Sequence, residues 1–328
     1  MNYDKNTQAI ILLSCHFSKA KKDDPNPLTP TEFGRFSLWL FKNKYQPSDL
    51  FDKFETVGSK WNDPKNKITT DRLKYLLGRG LAMSLALEKW ESAGIWVIIR
   101  KSPQYPKKLK EHLKENAPAL LFGVGNKELL NSGGLAIVGS RSINDVDNKF
   151  TQEIAKKMAL DGFNIISGGA RGVDETSMLS ALDAEGNAIG VLSNGLLSAA
   201  VSGKWRKYIK NNQLLLISIF YPDAGFNVGN AMARNKYIYC MSDAALVVHS
   251  GTKGGTWTGA LENLKKEYSL LWVKKTNDVE AGNKKIVEQG GCWYEESMDS
   301  SSFFARPKIE SQKKSEEKKQ SSSQMNLF

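Results

Sequence analysis

The sequence predicts an α/β fold: a doubly wound, mostly parallel sheet, preceded by a small helical N-terminal region and followed by a disordered tail. Three observations predict it. Short continuous apolar runs recur from Gly134 onward, amphipathic stretches of helical period separate them, and the turns after the runs are rich in glycine. A strand covered by helices on both faces has no solvent side, so it reads as an unbroken apolar run. Regular alternation of such runs with helical segments marks a Rossmann-like sheet.

The elements follow in order. The first stretch of about 95 residues reads as helical and irregular. Thr29-Pro30-Thr31-Glu32 is a helix start, with Thr29 as N-cap, Pro30 in the first turn and Glu32 reaching back as a capping box. Phe33, Phe36, Leu40 and Phe41 follow at helical spacing and predict one buried stripe. A second helical stretch covers Thr70 to Ala93, broken at Gly78-Arg79-Gly80. That break reads as a glycine-bearing corner, with a faint likeness to the helix-hairpin-helix turn whose amides hold a DNA phosphate. The predicted strands are Leu135–Val138, Phe163–Ile166, Ala188–Leu192, Leu214–Ile219, Ala244–Val248 and Leu270–Val273. Helical patterns lie between them, around Phe150/Ile154/Met158, around Met178/Leu182, and over Ser202–Asn211, Ala231–Met241 and Trp257–Lys266. From Pro307 to Ser323 the chain is Lys, Ser, Glu and Gln with almost nothing apolar, so burial cannot offset its ordering entropy.

Composition narrows the function. With 46 Lys and Arg against 35 Asp and Glu, the chain carries a formal charge of +11, which suggests a polyanionic partner. No apolar run reaches the roughly 18–20 residues of a spanning helix, and the start lacks a signal-peptide pattern. The three cysteines (Cys15, Cys240, Cys292) and three histidines (His16, His112, His249) are scattered, which argues against a disulfide framework and a metal site. A cytoplasmic protein without metal or cofactor is expected, with no membrane partner.

In a doubly wound sheet, ligands bind beyond the carboxyl ends of the strands. Four loops fall there. They are Val138-Gly139-Ser140-Arg141-Ser142; Ser167-Gly168-Gly169-Ala170-Arg171-Gly172-Val173-Asp174; Ser193-Asn194-Gly195; and Ser250-Gly251-Thr252-Lys253-Gly254-Gly255-Thr256. Glycine lets a phosphate approach the backbone, arginine supplies a forked cation, and successive amides form an anion nest. Neither GxGxxG nor GxxxxGK[ST] is present, which disfavours a standard dinucleotide site and an ATPase loop. Convergence of four loops on one rim points to a phosphate-rich ligand.

These residues carry a resemblance. From Ile98-Ile99-Arg100 and Tyr105–Leu109, through Pro118–Gly123, Ala136–Arg141, Ile166–Asp174 and Gly190–Gly195, to Arg234-Asn235 and Ser250–Thr256, the chain resembles the DprA/Smf family of DNA-processing proteins. The resemblance implies an extended Rossmann fold that binds single-stranded DNA without cleaving it, forms a homodimer and helps load recombinase. Carried over, Gly139, Ser140, Arg141 and the loop Ser167, Gly168, Gly169, Arg171, Gly172 would grip backbone phosphates. Asn194, Gly195, Lys204 and Arg206 would continue the groove, joined by Lys253, Gly254, Gly255 and Thr256. Trp205 either stacks a base or is a core residue. Arg234, beside Asn235, either joins the groove or satisfies strand-end carbonyls. The chain departs from the family pattern at Leu197–Ala200, at His249 and at Lys253–Gly259, and has no evident winged-helix domain, which suggests a divergent branch serving repair, recombination or phage defence.

The terminal Gln324-Met325-Asn326-Leu327-Phe328 resembles the sliding-clamp-binding pentapeptide, with Gln324 orienting and Leu327 and Phe328 as anchors on a solvated tether. The organisation expected is therefore a helical region over 1–95, a DprA-type domain over 96–295, a disordered linker over 296–323 and the clamp peptide over 324–328. Two alternatives stay open. One is hydrolysis of an N-glycosidic bond: Gly254–Glu262 resembles a phosphoribohydrolase loop, with Glu262 and Asp174 as catalytic carboxylates. The other is a small-nucleotide sensor whose rim holds a single nucleotide.

Overall fold

The computed structural model describes residues 3–19 and 23–305. Among these, nine strands form one sheet: β1 (Trp96–Ile99), β2 (Leu120–Gly125), β3 (Leu135–Val138), β4 (Ile165–Ser167), β5 (Ala188–Leu192), β6 (Leu214–Ser218), β7 (Ala244–Val247), β8 (Leu270–Val273) and β9 (Cys292–Trp293). Their order is β1-β2-β6-β5-β4-β3-β7-β8-β9. Pairing is parallel from β6 across to β9, while β2 runs antiparallel to both β1 and β6. The six apolar runs of the sequence are the inner strands β3 to β8, and all but Leu270 of β8 are buried over their length, as a sheet covered on both faces requires. The doubly wound, Rossmann-like class is thus present, with an antiparallel pair added at one edge.

The winding creates the site. From β3 the chain steps outward through β4, β5 and β6, then returns along helix Val228–Met241 to lay β7 on the other side of β3. Helices Asp145–Leu160 and Val173–Asp183 cover one face, packing Ile154, Met158 and Ala181 against Leu135, Ile137 and Ile165. Helices Val228–Met241 and Gly255–Lys266 cover the other, where Ile238, Cys240 and Ala260 meet Ala136, Val138 and Val247. Helices leave β3 and β7 toward opposite faces, so a crevice opens between these strand ends, at the switch point of the topology. Register holds the ends level, with Val138 opposite Val247 and Ser167 opposite Gly190.

The N-terminal region is helical, with its own core of Phe33, Phe36, Leu40, Trp61, Leu73 and Leu76. The capping box forms: Thr29 Oγ accepts from the Glu32 amide and the Thr29 amide donates to Glu32 Oε2 at 2.9 Å. Phe41, expected in the buried stripe, is 80% exposed. It lies one residue past Leu40 and so turns about 100° away from the core side. At the expected corner, helices Thr70–Leu77 and Gly80–Ser92 meet, and the Arg79 guanidinium donates inward to the carbonyls of Leu12 and Cys15. It braces a helical corner, so this guanidinium is turned inward rather than offered to DNA.

Folded chain continues past the boundary expected at 295. Ser301–Phe304 forms a 3-10 turn whose Phe303 is fully buried against Trp272 and Tyr294. The rest of the expected linker and the peptide Gln324, Leu327, Phe328 lie outside the described residues. No helix among the described residues is long and apolar enough to cross a membrane.

Candidate nucleic-acid interface

The four glycine-bearing loops do gather on one rim, and they enclose two adjoining cavities. The first, about 360 Å³, fills the switch-point crevice and is lined by Gly139, Ser140 and Arg141 from the loop after β3 and by Lys253, Gly254, Gly255 and Thr256 from the loop after β7. The second, about 380 Å³, lies over the ends of β4 and β5, among Gly168, Gly169, Arg171, Asn194 and Gly195. Arg141, Ala170 and Phe226 line both and form the wall between them, and of these Arg141 and Phe226 pack side chain on side chain. Their side chains stack, with the guanidinium 5.1 Å from the ring centroid. Arg141, Arg171 and Lys253 are all exposed, and Phe226 keeps 56% of its surface open. A larger cavity of about 470 Å³ sits where Leu28 to Pro30 meets β2. Among the described residues its lining carries no Lys or Arg.

Beneath the rim, polar side chains fix the loops. Thr256 Oγ1 donates to the Gly139 carbonyl at 3.0 Å, tying the first loop to the fourth, and Asn235 Nδ2 donates to the Gly255 carbonyl at 2.9 Å. Ser167 is fully buried and its hydroxyl donates to the Ile137 carbonyl at 2.6 Å. It therefore locks β4 to β3 and does not face a ligand. Gly172 starts helix Val173–Asp183 at φ +88°, and a Cβ there would lie 2.5 Å from the Ser140 carbonyl oxygen. Only glycine lets the first two loops come this close.

The structure decides between the two readings of Arg234 and of Trp205 and narrows the nest. Arg234 is only 4% exposed, its guanidinium donates to the carbonyls of Gly168 and Val191, and it pairs with Asp174 at 3.9 Å. It satisfies strand-end carbonyls from inside; Gly168 is glycine because a Cβ would lie 2.1 Å from that guanidinium. The nest expected at Ser167–Gly172 is partly taken by the chain itself: the amides of Gly168 and Ala170 act on the buried Asp174 carboxylate and help hold its acidity. Burial raises the Asp174 carboxyl above its ordinary range, and Arg234 and these donors oppose the rise. Trp205, on the helix Gly203–Lys210, is 6% exposed and packs into the core beside the second cavity. On that helix Lys204 is paired with Glu175 at 2.8 Å, while Arg206 is exposed. Glu262 lines neither rim cavity and sits within 3.4 Å of the Tyr268 hydroxyl, so the two carboxylates of the hydrolase alternative do not share a site.

Phe226 was not singled out by the sequence. It follows β6, and its only signal was an aromatic next to glycine in a loop on the same rim, Ala224-Gly225-Phe226.

The sequence profile described as DNA recombination-mediator protein A matches residues 96–305. The chain belongs to this family. It is 27% identical over 209 residues to the Bacillus subtilis DNA processing protein DprA, covering 62% of this chain and 69% of that one. It is 30% identical over 158 residues to the Escherichia coli protein Smf, covering 47% and 42%. The chain thus spans less than half the length of some curated relatives it matches. Among solved structures, Streptococcus pneumoniae DprA superimposes with a TM-score of 0.67 at 16% identity, covering 90% of this chain and 95% of that chain, a likeness of fold. Helicobacter pylori DNA processing protein A, a protein with a single-stranded DNA binding mode, gives 0.52 at 25% identity over 61% of this chain and 90% of its own. The family match ends at residue 305, the last described residue, and includes β1, β2 and the turn that buries Phe303.

Proposed function

We propose that this DNA-processing family member binds single-stranded DNA along the rim and does not cleave it. One observation carries the reading: an exposed arginine stacked on an open aromatic ring stands between two cavities lined by glycine-rich strand-end loops. Backbone phosphates pair with Arg141, Arg171 and Lys253, and bases stack on Phe226; this pairing of cations with an aromatic platform suits a single strand, whose bases are free. The single-stranded DNA binding mode of the Helicobacter pylori relative supports it, and the +11 charge agrees in sign.

Phosphate neutralisation releases counterions, so affinity falls with salt by about 0.7 in log–log slope per phosphate contacted on a single strand. Titrating the full chain with a labelled oligonucleotide at several salt concentrations tests this. Arg141→Ala and Arg171→Ala are expected to weaken binding and to flatten the slope by roughly 0.7 each. Unchanged affinity and slope in both variants would remove the rim as the groove. Within the same proposal, docking to a sliding clamp through Gln324, Leu327 and Phe328 rests on sequence alone, and capture of the full chain by purified clamp, compared with Leu327→Ala, tests it. Recombinase loading, a homodimer and a part in repair or phage defence likewise follow from the family resemblance; sedimentation of the chain with and without recombinase tests the first two.

A further inference from the structure

The largest cavity, about 470 Å³, continues the rim beyond β5. In the sheet β6 stands next to β5, with Ser218 opposite Leu192, so their carboxyl ends are level. Past Ser218 the chain runs on through residues 219–230, and this one segment walls all three cavities. Phe220, Tyr221 and Asn230 line the largest, while Phe226 lines the other two. The chain after β5 holds the segment in place: the Gly195 and Leu197 amides donate to the carbonyls of Ala224 and Pro222 at 2.9 and 3.0 Å. Three strand spacings, about 14 Å, separate the β6 end from the β3 end. A DNA strand that follows the rim from β3 past β5 therefore arrives at this cavity.

Its chemistry is unlike that of the rim. The far wall comes from the N-terminal region, through His16, Pro27 and Leu28. Pro27, Leu28 and Phe220 make the walls apolar, and among the described residues no Lys or Arg lines them. Three neutral polar groups interrupt the apolar surface: the His16 ring, the Asn230 amide and the Tyr221 hydroxyl. None of them makes a hydrogen bond among the described residues, and their polar atoms keep accessible surface. Burial, with the Arg79 guanidinium nearby, pushes the His16 imidazole below its ordinary range, so the ring is uncharged at neutral pH. An asparagine amide offers a donor and an acceptor side by side, as the edge of a nucleobase does. Apolar walls with a few neutral hydrogen-bonding groups fit a flat, uncharged ring with a polar edge.

We propose that this cavity holds one nucleobase, its face against Phe220 and Tyr221 and its edge toward Asn230 and His16. The ring has two sources with the same chemistry: an unpaired base of a strand whose phosphates stay on the rim, or a free nucleoside. The first source rests on the single-strand reading and deepens it, because it gives the N-terminal region a part in binding.

Photo-crosslinking of the full chain to an oligonucleotide that carries 5-iododeoxyuridine tests the proposal, because irradiation joins this base to aromatic rings it touches. Peptide mapping is expected to place adducts on Phe220, Tyr221 or His16 as well as on Phe226. Asn230→Leu keeps the side chain's size and has no side-chain hydrogen bond to lose. It is expected to leave the melting temperature in place and to weaken binding of the base about fivefold, with the salt slope of the oligonucleotide unchanged. His16→Leu is expected to weaken it several-fold. Calorimetric titration with thymidine alone separates the sources. Adducts in the cavity assign the base of the strand; thymidine binding that Asn230→Leu weakens, with no adduct in the cavity, assigns the free nucleoside. No adduct there together with no thymidine binding, or affinities that neither variant alters, would overturn the site. The two readings fail separately. If this site fails, the oligonucleotide still crosslinks to Phe226 and Arg141→Ala still flattens the slope; if the groove fails, the parent binds no oligonucleotide and thymidine alone reads the cavity.

Discussion

Phe226 is the residue on which the groove reading is most exposed. Arginine and lysine on a rim account for attraction to any polyanion, duplex included. An aromatic face left open to solvent, and held against Arg141, accounts for affinity toward unpaired bases. Stacking is worth about 1–3 kcal/mol per base and is largely insensitive to salt, whereas phosphate pairing is not. Phe226→Ala is therefore expected to weaken single-strand binding by roughly 1–3 kcal/mol while leaving the salt slope unchanged. A fall in slope equal to that of Arg141→Ala would mean the ring acts only by holding the guanidinium in place. Arg171, which lies over no aromatic ring among the described residues, is the control for that distinction.

At the scale of elements, Arg234 decides how well the rim is held. It reaches from helix Val228–Met241 to the ends of β4 and β5 through the carbonyls of Gly168 and Val191, and it balances the buried Asp174. Breaking a buried pair from one side strands the other charge, at a cost on the order of 3–5 kcal/mol. Arg234→Ala is expected to lower stability by that order in chemical denaturation, and Arg234→Ala with Asp174→Asn to recover part of it. A single variant as stable as the parent would show that the pair does not hold these elements together. The same residue marks where sequence reading stops. The apolar runs from Leu135 to Val273 revealed six strands, because a strand buried on both faces leaves a plain signature. The loops revealed the rim because four of them fall at strand ends on one edge with cations among them; each glycine alone also has a packing use, as Gly168 and Gly172 show. Burial of Arg234 or Trp205 was not legible, since a cation or tryptophan reads alike whether it faces in or out. Strands β1 and β2 were missed for another reason. Their runs are short, and Leu120–Gly125 carries two glycines that read as breakers; only in three dimensions does the Trp96 ring lie over Gly123, with 2.2 Å to a Cβ placed there. Phe226 lay in a loop without periodicity, where only the neighbouring cavities give an aromatic its meaning.

Across the whole molecule, the two cores respond differently to acid. The N-terminal helices hold four carboxyls below their usual range, Asp4, Glu32, Asp49 and Asp63, and of these Asp63 and Glu32 pair with arginines inside the region. Burial would raise Asp63, yet bonds from Arg35 and from the amides of Ile68, Lys67 and Lys65 outweigh it and hold the carboxyl well below its usual range. Burial likewise opposes, and Arg72 and Thr29 outweigh it, at Glu32, which is also lowered. A carboxyl lowered in the folded state stabilises that state above its unfolded value, near 4, and the contribution drains away as pH falls from there toward the folded value. Asp174, beneath the rim, has the opposite sign: its carboxyl is raised, so acid does not weaken the fold through it, and the lowered carboxyls on the sheet's side, Asp278 and Asp299, are exposed, where solvent screens them. Acid is thus expected to loosen the helical region before the sheet. Trp61 and the partly buried Trp39 pack in the helical core; because the chain has eight tryptophans, the difference in fluorescence between the parent and Trp61→Phe isolates that core's signal, whereas amide exchange in β3 to β7 reports on the sheet. Between about pH 4 and pH 2 the fluorescence should change while the strand amides stay protected. Asp63→Asn should lower the neutral-pH melting temperature and flatten the acid dependence of the fluorescence transition. If the variant keeps the parent's acid midpoint, or if fluorescence and exchange move together, the helical region and the sheet unfold as one unit, and a rim carried on the sheet cannot outlast the helices in front of it.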